Sequence, residues 1–116
     1  MDQPAPSVTR TDVERIVRRD FPSEQYEQVL AILDEYGKER FHREIERVQL
    51  DVLKLADGDL DELRTGIKTA KTDYRDVISW AEYPNCRRDT FKLPDEEKKK
   101  IYSKDWQHYQ AWLGAK

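Results

Sequence analysis

Hydrophobic positions recur along this chain at intervals of three and four, the spacing that places side chains on one face of an α-helix. The longest series is Leu60, Leu63, Ile67, Ala70, Tyr74, Val77 and Ala81. It covers about six turns at 3.6 residues per turn. Asp59 and Glu62 have capping-box spacing at its start, and Asp57-Gly58-Asp59 separates it from what comes before. A second series, Phe41, Ile45, Val48, Val52 and Leu55, is widened by Leu53 and Ala56. Two stripes joined by so short a turn predict an antiparallel helical hairpin over residues 39–83. Gly66 falls off the longer stripe and reads as a local weakness.

Three shorter elements complete the pattern. Thr11 and Glu14 have capping-box spacing around Val13, with Ile16 and Val17 on the same face and Pro22 as the stop. Ser23 is the cap expected for a second helix carrying Tyr26, Val29, Leu30, Leu33 and Tyr36, flanked by Ile32. Gly37 suits the left-handed position that ends many helices. Beyond Pro84, the connection PNCRRDTFKLP leads to a last helix from Asp95, with Ile101, Tyr102, Trp106, Tyr109, Trp112 and Leu113 on one side. Residues 1–10 hold two prolines and little apolar content, and read as a flexible N-terminal arm; residues 11–116 form the helical domain. The expected fold is all-α, a single-domain bundle of about five helices built on the hairpin. Helices below roughly 12–15 residues are marginal alone, so the first two should lean on it.

Composition agrees with helices that bury one stripe and wet the rest. Charged residues make up 39% of the 116 and hydrophobic residues 37%, where about a quarter charged is usual. With 21 basic and 24 acidic side chains, the net charge of −3 lacks the basic excess of a domain devoted to nucleic acid. The single Cys86 excludes an intrachain disulfide. The longest uncharged apolar run, Val29 to Leu33, is five residues, against about twenty for a membrane span. With no apolar leader in the first ten residues, a cytoplasmic location and no membrane partner are expected.

Three stretches, RVQLDVLKLADGDL (Arg47–Leu60), DYRDVISWAEYP (Asp73–Pro84) and LPDEEKKKIYSKDWQHYQAWL (Leu93–Leu113), carry a resemblance. Together they resemble a family of small uncharacterised bacterial helical proteins that pair an AEYP-like turn with a C-terminal DWxxYxxWL helix. The resemblance spans roughly the last two thirds of the chain. It implies a compact helical domain and assigns no catalytic or binding residue.

Candidate chemistry is sparse. Glu39 with His42, and Asp105 with His108, each show a carboxylate–x–x–His spacing. Facing pairs of that kind are half of a carboxylate-bridged di-metal bundle, but the long stripe offers no inward carboxylate to complete it. Two solvated histidines among many acids is the stronger reading, so no metal and no other cofactor is expected. Arg87 and Arg88 beside Cys86 would favour its thiolate. Neither histidine is near it in sequence, and an enzyme using Cys86 or His42/His108 ranks last. Residues 1–84 carry 13 basic and 19 acidic side chains, whereas residues 85–104 carry seven and four. Interleaved with Trp80, Tyr83, Phe91 and Tyr102, this basic segment, 80–104, makes nucleic-acid binding the second reading. The first is a protein partner or self-association, because Trp80, Tyr83, Arg87, Arg88 and Phe91 are residue types that dominate interface hot spots. The function expected is a non-enzymatic protein–protein interaction module of regulator, adaptor or toxin-neutralising type.

The long stripe gives the first test. Leu63→Asp puts a charge at its centre, so far-UV dichroism and the cooperative thermal transition should collapse; melting like the parent would mean the face is misassigned.

Overall fold

The computed structural model describes residues 7–86 and 93–115. Among the described residues, five α-helices follow one another: α1 (Arg10–Asp20), α2 (Tyr26–Asp34), α3 (Ile45–Ala56), α4 (Leu60–Glu82) and α5 (Asp95–Gly114). Single 3₁₀ turns, Ser23–Gln25 and Pro84–Cys86, precede α2 and follow α4. The tight turn at residues 57–59 folds α3 back on α4, and this pair shares the most extensive contact in the molecule. α1 packs on α3, α2 packs on α4, and α5 rests on α4 and the 3₁₀ turn after it. The architecture is an all-α bundle built on a helical hairpin.

The hairpin departs from its sequence outline in three ways. It starts at Ile45 rather than residue 39, because residues 38–44 form a loop. Phe41 therefore leaves the stripe and is 67% exposed, and Leu55 is 37% exposed. The buried run instead takes in every residue from Val48 to Leu53, Gln49 and Asp51 included. α3 is covered by α1 and α4 together, so no single face of this segment stays wet.

Second, α4 is not one uninterrupted helix. Asp73 has φ −155° and ψ 100°, outside the helical region. Its Oδ1 accepts the Arg75 N–H at 3.0 Å, so Asp73 caps the second half of α4 as an N-cap residue would. Just before it, the Thr69 and Thr72 hydroxyls donate to the carbonyls four residues back, a pattern that bends helices. The stripe survives the kink, with Leu63, Ile67, Ala70, Val77 and Ala81 buried and Leu60 and Tyr74 half-buried.

Third, Gly66 lies on the α3–α4 contact rather than off it. It is buried, and a Cβ there would stand 2.9 Å from Val52 Cγ1. The missing side chain is what lets the two helices approach.

The smaller elements are adjusted by a residue or two. α1 begins at Arg10 after Thr9, whose N–H donates to Asp12 Oδ2 at 2.9 Å, so the cap is Thr9 and not Thr11. Val8 packs against the core, which draws the end of the N-terminal arm into the domain; residues 1–6 lie outside the described residues. Glu14 pairs with Arg10 at 3.6 Å. α2 ends at Asp34, and Gly37 breaks the chain with φ +131°. On α5 only Asp105 and Tyr109 are buried; Ile101, Tyr102, Trp106, Trp112 and Leu113 are half-buried.

Gly66→Ala should lower stability by ~1–3 kcal/mol through overpacking, despite alanine's better helix propensity. Val52→Ala in the same chain should recover part of that loss in urea titrations, because it vacates the contacted volume. A Gly66→Ala chain as stable as the parent would remove the close-approach argument.

Candidate functional site

Polar side chains do organised work at two places. One is the loop between α2 and α3. Gly37 takes a conformation that L side chains avoid, and a Cβ there would also meet Ile45 Cγ2 at 2.9 Å. Tyr36 is buried; its hydroxyl donates to the Arg43 carbonyl at 2.7 Å and accepts the Arg43 N–H at 3.2 Å. His42 Nδ1 accepts the Gly37 N–H at 2.7 Å, and its ring stacks on Tyr36 with centroids 4.3 Å apart. These contacts pin both ends of the loop. Between them Phe41 stands in water, touching His42 edge-on at 4.9 Å. An open groove of about 920 Å³ runs beside it, lined by Ala31, Glu35, Lys38, Glu39, His42 and Lys71. Phe41 also borders a second groove, of about 440 Å³, at the α4 kink around Asp73. Lys71 and Glu35 bridge the first groove at 2.8 Å, and that bond holds the exposed Glu35 carboxyl below its ordinary range.

The second place is inside the protein, where α3, α4 and α5 meet. Glu82 is buried, and both its oxygens are taken by Arg47, at 2.8 Å from Nε and 2.7 Å from Nη2. This bidentate geometry favours the charged guanidinium and pushes Arg47 upward from its ordinary value. Asp51 is 0% exposed, one turn along α3 from Arg47. Neither of its oxygens, nor the buried Tyr109 hydroxyl, has a hydrogen-bond partner. Burial, reinforced by the neighbouring Glu82 carboxylate, pushes Asp51 well above the usual range and favours its neutral form. Protonated, it gains a donor that Glu82 can accept. Burial and the Asp51 carboxyl together also push Tyr109 upward. The grooves described above are lined by none of Asp51, Glu82 and Tyr109.

Nearby polar groups serve helix ends. Gln49 Nε2 donates to the Leu33 and Tyr36 carbonyls at 3.0 Å each, satisfying the end of α2, while its Oε1 accepts from Arg10 at 3.1 Å. Arg10 also grips Asp34 with both Nη atoms, at 2.8 and 3.2 Å.

The residues singled out from sequence are only partly assembled. Trp80 and Tyr83 are half-buried at the end of α4, and Tyr83 meets Tyr102 edge-on at 5.3 Å. Arg87, Arg88 and Phe91 lie outside the described residues, so the expected surface and the basic segment 80–104 are described only at their flanks. The backbone of Cys86 ends the 3₁₀ turn at Pro84–Cys86. His42 is committed to its loop, and His108 is exposed on α5. Asp105, expected as a partner of His108, instead accepts the Asn85 backbone and side-chain amides at 3.1 and 2.7 Å. Among the described residues, no group of three or more His, Cys, Asp or Glu could hold a metal ion, and no helix is long and apolar enough to cross a membrane. Arg47, Asp51 and Glu82 escaped the sequence reading; the one available signal was an acid inside the apolar run VQLDVL. Compared with family models, curated proteins and solved structures, the chain matches none.

Arg47→Met should cost about 3–5 kcal/mol, because it strands a buried carboxylate. Adding Glu82→Leu should restore most of that loss in urea unfolding. Equal stability of the Arg47→Met chain and the parent would show that the ion pair is not confined as described.

Proposed function

We propose that this chain is a non-enzymatic protein–protein interaction module, acting in the cytoplasm as a regulator, adaptor or toxin-neutralising partner, and that Phe41 is its anchor. One observation supports this reading above the others: a large aromatic side chain 67% exposed on a loop whose ends are fixed. A mobile loop would bury such a ring or pay ordering entropy on binding; a pinned loop presents it already oriented. The adjoining groove supplies alkyl stems and both signs of charge at its rim, which suits the surround of a hot spot. The likeness to small bacterial helical proteins is compatible with such a role and adds no activity to it. Trp80 and Tyr83 stay candidates for a second contact at the far end of α4.

Parent and Phe41→Ser chains immobilised side by side should distinguish this reading in native lysate. A specific partner should be retained by the parent and reduced about tenfold or more on the variant, while both chains melt alike. Sedimentation equilibrium on the same pair covers self-association. Identical retained proteins on both chains, with no self-association that Phe41→Ser weakens, would reject Phe41 as the anchor.

A further inference from the structure

We propose that α5 is a detachable lid locked by a single proton, which Asp51 holds against Glu82 beneath Tyr109, and that loss of this proton frees the helix from the hairpin. The charge count at the junction comes first. Two buried carboxyl groups share one guanidinium, and Glu82 uses both of its oxygens on Arg47. Both oxygens of the buried Asp51 lack a donor, and a proton on one of them supplies a bond toward Glu82. An ionised Asp51 would leave a second negative charge in a dry interior with no cation of its own, which proteins avoid by neutralising the group or by admitting water.

The attachment of α5 points the same way. This 20-residue helix buries only Asp105 and Tyr109. Much of what holds it is polar and sits near its edges. Asn85 grips Asp105, and Arg15 and Arg19 of α1 donate to the terminal carbonyls of Trp112, Leu113 and Ala115. Arg19 also lies 5.1 Å from the Trp112 ring centroid. Trp112 and Leu113 pack against the core, but Tyr109 is the one fully buried aromatic or aliphatic side chain in 20 residues, the sparsest burial of any helix here, which marks an element that opens before the core does.

The groups facing Asp51 are Glu82 from α4, Tyr109 from α5 and Arg47 from its own helix. α1, which also packs on α3, buries Val13, Ile16 and Val17, none of them titratable. Lifting α5 removes Tyr109 and lets water reach Asp51, which then ionises in its ordinary range. The closed form therefore holds one proton more than the open form. Its advantage is complete at acid pH and declines as pH rises through the interval between the ordinary and the raised carboxyl values. Across that interval the open-to-closed ratio grows about tenfold per pH unit. The open form offers the aromatic side of α5 and the α3–α4 junction to a partner. This lid does not depend on Phe41, and a failure of the loop as anchor leaves it standing.

Amide hydrogen exchange on the full chain, followed residue by residue by NMR and corrected for intrinsic rates, tests the lid. Above the ordinary carboxyl range, protection of α5 amides should fall by up to tenfold per pH unit, and it should stay below that of α1–α4 amides, which exchange through a larger unfolding that also ionises Asp51. Asp51→Asn should flatten the α5 dependence; if that chain does not fold, Asp51→Leu takes its place, and the parent's own profile decides if neither folds. Protection of α5 that ignores pH, α5 amides as well protected as those of the core, or an unchanged slope in a folded Asp51 variant would each overturn the proposal.

Discussion

The fold turns on the enclosure of α3. From Val48 to Leu53 no side chain reaches water, so every polar group in that segment must be satisfied inside the protein. Gln49 meets this demand by donating to the Leu33 and Tyr36 carbonyls where the chain leaves α2. Asp51 meets it by staying neutral beside a glutamate that an arginine has already claimed. The same enclosure explains Gly66, since α4 reaches Val52 only where it carries no side chain. One constraint thus selects a glutamine, an aspartic acid and a glycine that a helix on a protein surface would have no reason to keep.

Around that centre the molecule divides into firm and lightly held parts. α1 to α4 share an apolar core. α5 is joined to them by the buried Tyr109, by Trp112 and Leu113 against the core, by Asn85 at one place and by two arginines at another. Capping a helix C-terminus with guanidinium groups from another element favours the helix and its docking together, because the carbonyls lose their partners when it leaves. The loop before α3 is the opposite case, a segment without regular structure held firmly by Tyr36, Gly37 and His42. The loop and the docked α5 are therefore held in different parts of the sequence by different chemistry.

Helix number, order and most of the core were legible in the three-and-four spacing, with α4 the clearest case. Two kinds of information were not. The period shows which residues can share a face but not how many neighbours cover a helix. It therefore placed Phe41 and Leu55 inside and missed Gln49 and Asp51, although the acid within VQLDVL was visible. Local hydrogen bonding also overrode pattern. His42 and Tyr36 hold residues 38–44 out of the helix that Phe41 and Ile45 would continue, and Asp73 caps a new segment in the middle of an unbroken stripe. Of the candidate surface, Trp80 and Tyr83 were identifiable as large aromatics near a helix end, but neither spacing nor composition reveals that a ring four residues after Gly37 is held out in solvent.

The claim that carries most of this account is that the folded interior keeps Asp51 uncharged. Carbon-13 NMR of the aspartate side-chain carboxyls reads that state directly. Asp51 Cγ should show the shift of a protonated acid at neutral pH while the surface aspartates have already titrated. An Asp51 signal that moves with theirs, in the ordinary carboxylate range with the fold intact, would contradict the account.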